Sequence, residues 1–150
     1  MLTIAAIVSI VAVINAVLPS VSRTSGALVS ASGVVQDRIS SQIDVIHATG
    51  QDGDPDAQVW VKNIGASTIE PMSRLDVFFG PGGDFQRIPQ GTAGCTAPCW
   101  EYTFENATVW EPTATVHITV HAADNLATGT TYYIKVVTPN GIADSKFFTV

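Results

Sequence analysis

The sequence predicts an α+β protein, in which a long hydrophobic N-terminal α-helix precedes an antiparallel β-sandwich. Residues 1–22 contain no charged side chain, whereas short alternating runs separated by Gly, Pro, Asp and Asn follow residue 51. The formal net charge of −6 arises in residues 47–150, because two arginines and two aspartates balance before them. We therefore expect an assembly helix over residues 1–48 and a β-sandwich head domain over residues 49–150.

The first eighteen residues, MLTIAAIVSIVAVINAVL, are apolar except for Thr3, Ser9 and Asn15. As a helix they would be roughly 27 Å long, close to the thickness of the hydrocarbon core of a bilayer. No basic residue precedes the apolar run and no small-x-small cleavage site follows it. The pattern therefore predicts a retained segment rather than a removed signal peptide.

Beyond Pro19, apolar residues recur near helical spacing up to Ile46, with Ser and Gly between them. We expect the helix to bend at the proline and to continue, although a flexible Ser-rich linker is the alternative. Such a helix, about 65–70 Å long, is too long for one small domain to cover, which favours a bundle of identical helices. The side chains expected to pack in this bundle are Ile4, Ile7, Ile10, Val13, Val17, Leu28, Val35 and Ile39.

The C-terminal two-thirds of the chain carries the signature of short antiparallel strands. In the run VHITVHA, apolar and polar residues alternate from Val116 to His121, which is the period of a half-buried strand. The pair Asn140-Gly141 suits a tight hairpin turn. Strands are predicted over residues 57–63, 74–79, 100–104, 115–121, 131–137 and 143–150, with part of 42–48 as a further candidate.

Several stretches of this domain resemble the head domain of archaellum proteins, which are type IV pilin-like subunits of the archaeal motility filament. They are VWVKNIG (59–65), LDVFFGPGGDFQRIP (75–89), CWEYTFENATVWEPTATVHITV (99–120) and YYIKVVTPNGIADSKFFTV (132–150). The stretch DRISSQIDVIHATG (37–50) is similar to the junction between helix and head. The match is closest to the FlaG/FlaF-type branch of this superfamily.

This resemblance implies a mature subunit, trimmed of a short basic leader, with its helix in a filament core and its head on the surface. It also implies membrane insertion before assembly and contacts with the basal motor and platform proteins of the filament machinery. The partner most directly expected is the chain itself, in a helical homopolymer outside the cell.

The composition argues against several other functions. Net negative charge without clustered Lys and Arg argues against binding nucleic acid, which requires counterion displacement. The sequence contains no nucleophile elbow, phosphate-binding loop or dinucleotide fingerprint. We therefore expect no enzymatic activity and no organic cofactor.

A few residues are candidates for sites. Cys95 and Cys99 lie in the loop GCTAPCW, where an extracellular head favours a local disulfide over free buried thiols. Two thiols cannot form a zinc site unaided. The sequon at Asn106 is a candidate for glycosylation.

Three alternating acids in QDGDPDA, namely Asp52, Asp54 and Asp56, could surround Ca²⁺, although the terminal bidentate acid of an EF-hand is absent. A solvated acidic turn is the simpler interpretation. His117 and His121 are expected to face solvent from one strand face. The tryptophans, Trp60, Trp100 and Trp110, are expected in the sandwich core.

Three functions remain open from the sequence. A repeating subunit of an archaellum-like filament is the first hypothesis. A minor membrane-anchored stator or tether protein, whose head binds the cell envelope, is the second. An adhesive pilus-like subunit is the third. Abundance in sheared filaments would separate the first from the second.

Overall fold

A computed structural model of the protein describes residues 40–150. They belong to the compact unit Asp37–Val150, which is distinct from the unit Met1–Gln36. Eight β-strands and one short 3-10 turn, Met72–Arg74, make up the described secondary structure. The strands are β1 (Ile43–Gly50), β2 (Asp56–Asn63), β3 (Asp76–Pro81), β4 (Gln86–Ile88), β5 (Cys99–Phe104), β6 (Thr115–His121), β7 (Thr131–Val137) and β8 (Ala143–Thr149).

The strands form two four-stranded antiparallel sheets. The first sheet has the order β1-β2-β6-β5, and the second has the order β4-β3-β7-β8. Along β2, β6 and β7, buried and more exposed residues alternate, because successive side chains point to opposite faces of a sheet. The buried sets of both sheets belong to one hydrophobic cluster, which contains Val59, Ile118, Val77, Ile134 and Trp100. The described domain is therefore a sandwich of two sheets around one core.

The predicted α+β class is wrong, because the regular secondary structure of the described residues is almost entirely β. Residues 43–48, which the helix prediction included, lie in β1 instead. Ile43 and Val45 are buried while Asp44 between them is exposed, a period of two that suits a strand rather than a helix. This strand also crosses the boundary expected between residues 48 and 49. No helix within residues 40–150 is long and apolar enough to cross a membrane.

Side chains of β8 join the two sheets along one margin of the sandwich. β1 contains a bulge between Val45 and His47. The Val45 N–H donates to the Asp144 carboxylate at 2.7 Å, and the Lys146 ammonium donates to the carbonyl oxygens of Val45 and Ile46 at 3.2 and 3.0 Å. The backbone groups at the bulge thus find partners on the opposite sheet.

Backbone hydrogen bonds join the sheets along the other margin. Just after β4, Gln90 forms an isolated parallel bridge with Trp100 of β5. The Trp100 N–H donates to the Pro89 carbonyl oxygen at 3.0 Å, and the Gly91 N–H donates to the Trp100 carbonyl oxygen at 2.8 Å. The outermost strands of one sheet therefore meet those of the other at both margins.

A buried asparagine organises one end of the sandwich. Asn63, the last residue of β2, is fully buried. Its amide nitrogen donates to the carbonyl oxygens of Ser67 and Trp110 at 2.9 and 3.0 Å, and its amide oxygen accepts from the Gly65 N–H at 3.0 Å. One side chain thus holds two loops on the end of the core.

Candidate functional site

The outer face of the second sheet carries a row of aromatic side chains. Tyr133 of β7 and Phe147 of β8 are paired across the strands, and their ring centroids are 4.8 Å apart. On the other side, the ring of Phe85 lies 4.7 Å from that of Tyr133. Phe147 is 62% exposed and Phe85 is 46% exposed, so both present large apolar surface to solvent. We call Phe85, Tyr133 and Phe147 the aromatic row.

A glycine allows the β3–β4 loop to complete this row. Gly80 is the residue of β3 opposite Tyr133. A Cβ atom at Gly80 would lie 2.4 Å from the Asp84 carbonyl oxygen and 2.7 Å from the Phe85 Cα atom. Because Gly80 lacks that atom, the loop folds back over the strand and brings Phe85 onto Tyr133. The short sequence FGPGGDF thus builds one end of the row.

Charged side chains lie beside the row on the same sheet. Arg87 of β4 and Asp76 of β3 form an ion pair of 2.6 Å, and both are well exposed. Lys135 of β7 is paired with Phe78 of β3 and lies two residues along β7 from Tyr133. Protein–protein interfaces commonly have an apolar centre and a polar or charged rim, and aromatic residues are enriched in them. The chemistry of the row is therefore that of a binding surface.

The outer face of the first sheet carries a second aromatic cluster. The rings of Trp60 and His117 stack at 4.4 Å, and the ring of His47 lies 5.4 Å from Trp60. The Trp60 indole N–H donates to a Glu105 carboxylate oxygen at 3.0 Å. In contrast to the two phenylalanines of the aromatic row, Trp60 and His117 are only partly exposed. We therefore regard the aromatic row as the better candidate.

Two cavities of about 330 and 350 Å³ open at the surface of the described domain. Ser41, Glu70 and Arg74 are among the residues that line the first, and Asp84 and Asp124 are among those that line the second. The histidines of the domain line neither cavity. The carboxylates at these two clefts therefore have no histidine among their lining neighbours.

The three candidate calcium ligands have different hydrogen-bond partners. Asp52 accepts from the Thr128 N–H at 2.9 Å, and Asp54 accepts from the Asp56 N–H at 3.0 Å. Asp56 lies 2.6 Å from the Nδ1 atom of His121. Calcium binding by these residues stays a prediction.

The predicted modification sites lie at the two ends of β5. Cys95 and Cys99 are joined in a disulfide in the described domain. The side chain of Asn106 is exposed, and its oxygen accepts from the Thr115 N–H at 3.0 Å. Glycosylation at this residue stays a prediction.

The remaining candidates occupy several environments. Trp100 and Trp110 are fully buried in the core, whereas Trp60 lies on the outer face. His117 and His121 share the outer face of β6, where neighbouring side chains cover most of each ring. The eight assembly residues expected between Ile4 and Ile39 lie outside the described residues.

The aromatic row is absent from the sequence-based candidates. The alternation along β8 indicates an exposed aromatic residue, because it directs Phe148 towards the core and Phe147 towards solvent. The position of Phe85 depends on the loop conformation over Gly80, and no periodic pattern reports that.

Two comparisons at the level of sequence cover almost the whole chain. The model of the archaeal-type flagellin family matches residues 1–147. An uncharacterized protein of Archaeoglobus fulgidus is 26% identical over 156 residues, which cover 99% of this chain and 93% of that protein.

Solved structures give a consistent result. The archaellum periplasmic stator protein FlaG from Sulfolobus acidocaldarius is 27% identical, with a TM-score of 0.62 over 72% of this chain and 99% of that chain. The complex of FlaF and FlaG from the same organism matches at 26% identity and the same TM-score, over 71% of this chain and 88% of that chain.

The archaeal flagellum of Methanospirillum hungatei covers 99% of this chain and 90% of that chain, with a TM-score of 0.70. At 12% identity, this match shows a shared fold alone. The family model nevertheless spans nearly every residue. The predicted relationship to the archaellum is thus confirmed, and the chain belongs to the archaeal-type flagellin family.

Proposed function

We propose that this chain is a stator-type component of an archaellum, which acts at the cell envelope. The observation that carries this proposal is the match to the FlaG stator protein, which is 27% identical and is covered almost completely. The flagellum match, at 12% identity, is weaker in sequence. The apolar, uncharged residues 1–18 would keep the protein at the membrane, and the acidic β-domain would extend from it.

On this proposal the chain performs no chemistry of its own. A stator resists the reaction torque of the motor, so it needs a rigid head and a firm contact with a second protein. The single core and the joined margins supply rigidity. The aromatic row supplies a contact surface that is already assembled in the free domain.

We assign the aromatic row to contact with a FlaF-type subunit. The FlaG relative forms a complex with FlaF, which makes a β-domain of this kind the expected occupant. Because side chains or backbone bonds already engage both margins of the sandwich, a partner gains most by covering a face. Phe147 and Phe85 are the apolar groups that such a partner would remove from water.

Phe147→Ala should weaken binding to the FlaF-type subunit of the same organism by roughly 10-fold or more, because exposed aromatic anchors dominate such contacts. The measurement is the dissociation constant of the full-length chain in detergent, obtained by light scattering or calorimetry. The control is Val109→Ala, which removes exposed apolar surface between β5 and β6. Equal loss of affinity in both variants would contradict the assignment.

A repeating filament subunit is the second candidate, since the family model and the flagellum match both favour it. In that case the chain would polymerise with copies of itself outside the cell.

Fractionation of the native host separates the two functions. A stator component should stay with the membrane and envelope fraction when filaments are sheared off, at a level far below that of the main filament subunit. Quantitative immunoblotting with an antibody against the β-domain provides the measurement. If this chain dominates the sheared filaments, the stator proposal is wrong and the filament function takes its place.

A further inference from the structure

A cluster of metal-ligating side chains lies on the outer face of the first sheet, where β2, β6 and β5 run side by side. His121 of β6 is paired with Asp56 on β2 and with Cys99 on β5. Glu101 lies two residues beyond Cys99 on β5, and Cys95 reaches the same place through the disulfide. Strand register and the disulfide thus bring together five residues whose side chains are of types that bind metal.

The hydrogen bonds of His121 leave one ring nitrogen without a hydrogen-bond partner. Nδ1 lies 2.6 Å from the Asp56 carboxylate, which accepts its proton, so in the neutral ring the lone pair is on Nε2. Nε2 is buried and has no hydrogen-bond partner among the described residues. Its nearest carboxylate oxygen, on Glu101, is 3.9 Å away. When Nε2 carries no proton, both groups are acceptors, and a cation between them would satisfy both.

A cysteine sulfur also lies close to the histidine nitrogen and the carboxylate oxygen. The Cys95 Sγ atom, the ligating nitrogen of His121 and a carboxylate oxygen of Glu101 lie within 4.8 Å of one another. In the disulfide, the sulfurs carry no thiolate charge, and thiolate is the form that binds metal. A dithiol reductant would transfer two electrons to the disulfide, become a cyclic disulfide itself, and leave two cysteine thiols. These thiols lose their protons when they bind a metal ion.

We propose that reduction of the Cys95–Cys99 disulfide creates a binding site for a zinc-type divalent cation. Its ligands are the two thiolates, the Nε2 atom of His121 and one carboxylate oxygen of Glu101, a set of four that suits tetrahedral zinc. Asp56 is the positioning residue, because a carboxylate on the second ring nitrogen orients a metal-binding histidine. The bound ion then replaces the disulfide as the link between the loop and β5.

Cobalt(II) is the probe that tests this site. The full-length chain in detergent is titrated with Co²⁺ before and after reduction by a water-soluble phosphine. The phosphine and one water molecule convert the disulfide into two thiols, with the oxygen of water ending in the phosphine oxide and its two protons on the sulfurs. The reduced chain should bind one equivalent and develop the thiolate-to-cobalt absorption and the visible bands of tetrahedral cobalt. The oxidised chain should bind roughly 100-fold more weakly, because it lacks both thiolates.

Two variants separate a built site from thiols that bind metal alone. His121→Asn should weaken binding by the reduced chain roughly 10-fold to 100-fold, and Asp56→Asn should weaken it about 10-fold while the thiolate absorption remains. The matched control is His117→Asn, on the same strand and face, whose ring instead stacks on Trp60. This control should bind cobalt like the unsubstituted chain.

Several results would overturn the proposal. They are equal affinity before and after reduction, unchanged affinity in the His121 variant, and a loss in the His117 control as large as in the His121 variant. Circular dichroism of the reduced chain provides an independent measurement. If reduction unfolds the domain and cobalt does not restore it, the site does not exist.

Discussion

Asn63→Asp should destabilise the β-domain by about 3–5 kcal/mol at neutral pH, the range expected for an unpaired buried charge. The native amide donates to the carbonyl oxygens of Ser67 and Trp110 in a fully buried position. A carboxylate of the same shape cannot donate, so it would remove both hydrogen bonds and place a buried negative charge against the two carbonyl oxygens. The free energy of unfolding, measured with urea and tryptophan fluorescence in detergent, reports the effect.

The same variant should recover part of its stability as the pH falls, relative to the unsubstituted chain at the same pH. Once protonated, the carboxyl group is neutral and can donate to one of the two carbonyl oxygens. Asn125→Asp, in the exposed loop before β7, makes the identical chemical change in contact with water and should cost little. If the two variants lose equal stability, Asn63 does not hold the loops as described.

Gly80→Ala should destabilise the domain by about 1–3 kcal/mol and also weaken partner binding. The added methyl group would meet backbone atoms of Asp84 and Phe85 rather than flexible side-chain ends. The loop must therefore move, and Phe85 must leave the ring of Tyr133. We expect the binding loss to approach that of Phe85→Ala, measured by the same titration with the FlaF-type subunit.

Gly82→Ala is the matched control in the same loop. A Cβ atom at Gly82 would lie 3.5 Å from its nearest neighbour, the Thr131 carbonyl oxygen, which is ordinary contact. Stability and binding should therefore stay close to those of the unsubstituted chain. Similar losses in both variants would mean that the loop tolerates no side chain at all, and that Gly80 has no special role.

The strands could be predicted from the sequence because their inner faces are apolar and their outer faces are mixed. The expected strands over 115–121 and 131–137 agree with β6 and β7 to the residue. The three-residue strand β4 was missed, since a segment this short shows no period. The helix prediction was wrong at residues 43–48. The apolar residues there fit both the helical period and the strand period of two, and pairing with β2 makes the segment a strand.

The candidate sites were harder to predict, because they depend on contacts across strands. Asp56, Glu101 and His121 become neighbours only through the register of β2, β6 and β5, which no local pattern specifies. The exposure of Phe147 likewise follows from the position of β8 within the second sheet. The sequence identified Cys95 and Cys99 as a pair, because these residues are close along the chain.

The joined margins of the sandwich have a consequence for contacts between neighbouring copies of the domain. The unpaired N–H and C=O groups of an open edge strand would let neighbouring molecules pair through their backbones, as the strands of amyloid do. Here Asp144 and Lys146 form hydrogen bonds with the backbone groups at the bulge of β1, and Gln90 forms a β-bridge with Trp100 of β5. The domain is thus protected against aggregation at these points, and many copies can stand close together and remain separate molecules.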